Sequence, residues 1–315
     1  MKSIQLEAVY DIFRKKELSA MRVPLDLLVQ AKLFIYQYGR LLDRRRFEYF
    51  FENGPKEAVL AALAAYQNPD GGFGQGLEPD IRSPHSQPVP TESALILMDE
   101  IECFDPSILK GVIRFLQANS IPTGGFPLAF CHINDYPHAP WWNTDQDNEA
   151  HMNPTGRIIG LLYKQSVLTD IYEEKWFQNA VDFIWKEMDK GLPSDYHDGV
   201  QWISFLEHTP ERERAAAHLT SIQKWLAGPD IIERDTKAEG YVHKVLDWVP
   251  SPSSYAAQVV SSSDIERHLS YLVSQQQPDG GWPISWPAVS AAGECEWRGH
   301  LTVERLRTLR SFGWL

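Results

Sequence analysis

Gln67-Asn68-Pro69-Asp70-Gly71-Gly72-Phe73-Gly74 returns near the C-terminus as Gln276-Gln277-Pro278-Asp279-Gly280-Gly281-Trp282-Pro283, and in shorter form as Thr123-Gly124-Gly125-Phe126-Pro127. Proline presets φ, aspartate bonds its own backbone and glycine accepts positive φ, so each copy is strong turn chemistry. Each follows an amphipathic helical stretch and ends in an aromatic residue. The glycine pairs start at 71, 124 and 280, close to one and then three steps of about 52 residues, and a period in this range marks a repeat architecture.

The chain has 315 residues, 43% of them hydrophobic, enough for a sizeable core. Its length accommodates roughly six such units, which favours one closed array over residues 1–315 rather than two unrelated domains. A formal net charge of −12, with no basic stripe to offset it locally, argues against nucleic acid as a partner. Cys103, Cys131 and Cys295 form neither a disulfide framework nor a zinc ribbon. No apolar run is long enough to span a membrane, and Lys2, Glu7 and Asp11 do not make a signal peptide, so a cytoplasmic location is expected.

Apolar periodicity predicts helices over 4–13, from Pro24 to Leu42, 58–66, 92–102 with Thr91 as N-cap, 106–118, from Pro154 through Tyr163 with Asn153 as N-cap, 172–188, 212–226, 265–275 and 302–310. A short helix around Trp202 is also expected, whereas 233–263 promises little regular structure. Arg44, Arg45 and Arg46 read as a solvated helix end. One set of helices leads into glycine turns and the other follows long loops. Turns gathered at one end would close the array into a two-layered ring, the first helix sealing against the last.

The Gln-x-x-Asp-Gly-Gly-aromatic pattern of Gln67–Phe73 and Gln276–Trp282 resembles the QW-type repeat of the squalene-hopene cyclase and prenyltransferase superfamily. That resemblance implies an all-α fold, a single (α/α)6-type toroid of about six helical hairpins. It gives Gln67, Phe73, Gln276 and Trp282 a bracing role between repeats. It also implies an isoprenoid or other apolar substrate in the toroid cavity. Asp145-Gln146-Asp147-Asn148 is similar to the Asp-x-Asp-Asp of class II terpenoid cyclases. By that likeness Asp147 is the acid and Asp145 its neighbour, although Asn148 departs from the pattern. An acid that protonates an alkene must hold its proton, which burial and a second carboxylate achieve.

The loops that enter the second set of helices supply the other candidates. Glu78, Asp80, Arg82 and His85 lie in a proline-stiffened loop, where the alternative is an ion-paired surface segment. Trp141, Trp142, Trp286 and Trp297, with Phe130, offer aromatic faces for a carbocation, a sugar ring or a lipid tunnel, or simply pack between repeats. Arg298 could hold a carboxylate or diphosphate, or pin its loop. Cys295, Glu296 and His300 lack the Asp-x-Cys element of the zinc-dependent prenyltransferases, so neither metal nor cofactor is expected. A small molecule, isoprenoid or glycan, is the expected partner. Two further classes stay open. One is a polysaccharide lyase or glycoside hydrolase, with Glu78 and Asp147 as a carboxylate pair and Arg82 or Arg298 contacting a uronate; the other is a non-catalytic binding toroid.

Overall fold

A computed structural model of the chain describes residues 25–315, so the helix expected over 4–13 lies outside the described residues. Twelve α-helices follow, with isolated β-bridges but no strand among the described residues, so the fold is all-α. They are α1 Leu25–Tyr38, α2 Leu41–Phe51, α3 Lys56–Ala64, α4 Pro88–Glu100, α5 Pro106–Asn119 and α6 Met152–Lys164, then α7 Lys175–Met188, α8 Tyr196–His208, α9 Arg212–Leu226, α10 Val245–Trp248, α11 Ser262–Ser274 and α12 Ala291–Ser311. Apolar residues at helical spacing explain the burial of α1 through Leu27, Ala31, Phe34 and Ile35, and one buried apolar cluster runs from Leu27 to Leu309.

The three glycine turns share one set of hydrogen bonds. Asn68 N donates to Gly72 O and Gly71 N to Asn68 O; Ile121 with Gly125 and Gly124, and Gln277 with Gly281 and Gly280, repeat both bonds at 2.8–3.0 Å. The first glycine of each pair has φ of 99°, 105° or 92°, where a side chain would be strained. A Cβ there would also overlap backbone of another helix: Gly111 in α5 for Gly71, Asn179 in α7 for Gly124, and Gln30 in α1 for Gly280. Gln67 Nε2 spans from its own turn at Gly71 O (2.9 Å) to Ile108 O of α5 (3.0 Å). Gln276 Nε2 does the same between Gly280 O and Leu27 O of α1, at 2.9 Å each. The last turn therefore docks on the first described helix.

The even-numbered helices also join in a cycle. α4 packs on α6, α6 on α8 and α12 on α2. Tyr196 of α8 donates to Asp247 O of α10 at 3.2 Å, and Arg305 of α12 pairs with the Asp247 carboxylate at 3.1 Å. Arg46 of α2 pairs with Glu100 of α4 at 2.9 Å, and Arg307 of α12 reaches the same carboxylate.

Three expectations need correction here. Arg46 is completely buried between Asp43 and Glu100 within α2, not solvated at a helix end, because α1 stops at Tyr38 and a new helix starts at Leu41. Thr91 caps no helix: α4 begins at Pro88, and the Thr91 hydroxyl accepts from Phe73 N (3.0 Å) and donates to Gln87 O (2.8 Å). The stretch Cys295–His300 is not a loop, since α12 begins at Ala291 behind the Ser290 N-cap.

Candidate active site

The loop after the first glycine turn carries Glu78 and Asp80 into the interior, where they are 9% and 2% exposed. Arg40 fixes its path by donating to Gly76 O and Leu77 O (2.8 Å to the latter), while Ala139 N donates to Asp80 O at 3.0 Å. Burial, reinforced by the charge of Asp80, pushes the Glu78 carboxyl up to about 8, so it is protonated at neutral pH. Burial also raises Asp80, against the indole N–H groups of Trp297 and Trp286 that face it. Those indoles miss hydrogen-bonding geometry, so Asp80 Oδ1 and the Nε1 atoms of Trp286 and Trp297 are buried without a partner among the described residues.

From these indoles a chain of edge-to-face rings leads to Tyr241 and His243. Trp297 meets Trp286 at 5.2 Å, Trp286 meets Tyr241 at 6.1 Å and Tyr241 meets His243 at 5.0 Å. His243 stacks on Tyr196 at 3.7 Å, and His197 Nε2 lies 3.1 Å from the Tyr241 hydroxyl. Burial, with His197 adding to it, takes the His243 imidazole down to about 4. The Tyr241 hydroxyl is raised by burial together with Asp247, Asp80 and Glu78, so Tyr241 lies within electrostatic reach of Asp247 in α10 as well as of the Glu78 and Asp80 pair.

The even-numbered helices add partly exposed charges. The Glu304 side chain is 36% exposed, Arg157 28% and Arg305 25%. Against the upward push of burial, His300, Arg46 and Arg305 hold the Glu304 carboxyl far below the usual carboxylate range. Glu92 lies in the field of Arg157, and Tyr196 in the fields of Arg157, Glu304 and Arg305, so α4, α6, α8 and α12 bring these five groups toward one another. Gln201 holds α8 to α4 and α6, donating to Glu92 Oε1 (2.6 Å) and Asn153 Oδ1 (3.1 Å) and accepting from Arg157 N (2.5 Å).

The candidates from the sequence divide between the buried acids with their indoles and the surface. Glu78, Asp80, Trp286 and Trp297 come together, with His300 touching Trp297 at 5.7 Å. His300 is not free to bind substrate. Arg46 can only donate, so Nδ1 accepts at 2.9 Å and Nε2 carries the hydrogen toward Glu304 at 3.0 Å. Arg298 donates to Asp279 (2.7 Å) and Trp282 O (3.2 Å) and lies over Phe34, which corrects its reading as a ligand cation: it pins the third turn. Arg82 pairs with Glu296. Asp145 and Asp147 are exposed, and Asp147 accepts from Cys131 N, so the burial that a strong proton donor needs is found at Glu78 instead. Phe130, His85 and Asp147 line a separate surface cleft of ≈ 810 Å³, in which His85 Nε2 lies 2.9 Å from the Tyr136 hydroxyl. Trp141 is 45% exposed, and Trp142 packs on Ile81, Val89, Ala129 and Ile133.

Sequence reasoning missed Glu92, Arg157, Tyr196, His197, Tyr241, His243 and Glu304. A usable signal was present for Arg157, a charge within the mostly apolar run Met152–Lys164, which is worth asking about when that helix is read as interior; Glu304 gave none, because Ala291–Ser311 carries charges throughout. Among the described residues no helix is long and apolar enough to cross a membrane, and no group of three or more His, Cys, Asp or Glu residues is placed to hold a metal.

No family model and no curated protein sequence matches the chain. Among solved structures, a protein from Actinoplanes aligns with 91% of this chain and 90% of its own at 17% identity, with a TM-score of 0.48.

Proposed function

We propose that the protein is an α/α toroid enzyme that binds a small polar substrate between its even-numbered helices and protonates it from Glu78. The toroid reading is supported by the cycle of contacts among those helices and by the last turn docking on α1. The observation that carries the chemistry is the buried carboxyl pair of Glu78 and Asp80 beside two indole N–H groups. A carboxyl that keeps its proton at neutral pH is a competent general acid.

The lining argues for the carbohydrate-type substrate over the isoprenoid one. An apolar hydrocarbon seated against Asp80, Glu92, Arg157, Tyr241 and His243 would strip water from these groups and return no hydrogen bonds. A polyhydroxylated ring satisfies them and presents its faces to Tyr241, Trp286 and Trp297. The test is product formation, followed by mass spectrometry, from neutral and acidic disaccharides and from isoprenoid diphosphates. Turnover of a sugar is expected, falling about 10²-fold or more in Glu78→Gln with the fold intact. Unchanged turnover in Glu78→Gln removes Glu78 from the role, and turnover of the isoprenoid alone returns the cyclase reading.

A further inference from the structure

The arginines that reach the helix cycle are engaged, with one exception. Arg40 donates to Asp43 and to Gly76 and Leu77 carbonyls; Arg46 and Arg307 share Glu100; Arg305 holds Asp247. The guanidinium of Arg157 donates no hydrogen bond among the described residues. Its only ion-pair partner among the described residues is Glu92 Oε1, at 3.7 Å, and that oxygen already accepts from Gln201 at 2.6 Å. Burial raises the Glu92 carboxyl against the opposing pull of Arg157 and Gln201, which weakens its hold on the cation.

The backbone beneath Arg157 is rigid. A Cβ on Gly156 would come within 2.9 Å of Gln201 Cβ, and one on Gly160 within 2.6 Å of Ser204 O, so α6 lies directly against α8 with no room to slide. Arg157 N is itself tied to the Gln201 side chain. A planar fork of N–H donors, held on a fixed backbone, partly open to water and lacking a bidentate partner, is arranged for an oxyanion.

We infer that Arg157 is the oxyanion-binding residue of the proposed substrate site between the even-numbered helices, holding the carboxylate or phosphate of a small polar ligand through its unused guanidinium fork. This rests on the substrate lying there, as proposed above, and not on Glu78 being the acid. The substrate class narrows accordingly to an acidic or phosphorylated polyol. His197 and Tyr196, both within the field of Arg157, would flank the bound group.

Calorimetric titration of the whole protein with glucuronate, glucose 6-phosphate and glucose tests the assignment. At least one anionic probe is expected to bind more tightly than glucose, and its affinity to fall about tenfold or more in Arg157→Gln while glucose is unaffected. Arg157→Lys is expected to keep part of the phosphate affinity and less of the carboxylate affinity, because it retains the charge without the fork. The tighter anion identifies the group. Equal anion binding by wild type and Arg157→Gln overturns the inference, as does wild type that binds neither anion. On unsubstituted protein, phenylglyoxal is expected to label Arg157 ahead of Arg46 and Arg298 and to be slowed by the bound anion; labelling that the anion does not slow counts against it. Glu78→Gln is expected to bind the anion like wild type, so loss of turnover there with intact binding in Arg157→Gln sinks this inference alone, and the reverse pattern sinks only the acid.

Discussion

Glu78 carries its proton up to about pH 8 in the folded chain, whereas an unfolded glutamate releases it near 4.5. Between those values the folded state binds more protons than the unfolded state, so stability falls as pH rises through the window and levels off above it. Glu78→Gln replaces the neutral acid with a neutral amide and is expected to flatten that slope. Above about pH 8 the variant should be the more stable by about 2–4 kcal/mol, read from urea midpoints at a series of pH values. A wild-type curve that stays level across the same range would mean that Glu78 ionises like an exposed carboxylate. Asp147 shows how pattern and environment part company: its place in an acidic motif was legible, but its exposure on a loop was not, because burial is decided by chain segments far away in sequence.

The glycine turns were legible because their chemistry is local: proline, aspartate and paired glycines specify the backbone with no help from elsewhere. What anchors them is not local. Phe73 N, Phe126 N and Trp282 N donate to the hydroxyls of Thr91, Thr155 and Thr302, at 3.0, 2.9 and 3.2 Å, across intervals of 18, 29 and 20 residues that no fixed spacing reveals. Arg46 was misread for a related reason, since a run of three arginines looks solvated until the partner carboxylates on other helices are known. At this scale Gly280→Ala is expected to destabilise by about 3 kcal/mol or more, from backbone strain at φ 92° and overlap with α1. Thermal unfolding measures it, and a shift within the range of an ordinary surface substitution would mean that the turn is not seated on Gln30.

Glu100 joins the two ends of the described chain, since Arg46 of α2 and Arg307 of α12 both converge on its carboxylate at the rim of α4. Replacing it with Gln leaves the fully buried Arg46 guanidinium short of a counter-charge, and is expected to cost about 3–5 kcal/mol in urea unfolding. A loss of less than about 1 kcal/mol would show the pair to be screened like a surface contact. On the toroid reading proposed above, the seating of Gly280 on Gln30 and of Gln276 on Leu27 fixes the hairpin count by geometry. Duplicating one unit in the gene would carry the final turn past its seat by at least one helix diameter, about 8–10 Å, and deleting one would leave it short. Such a ring would tolerate rewriting of its long loops, but not the lengthening or shortening of its register of units that an open solenoid allows.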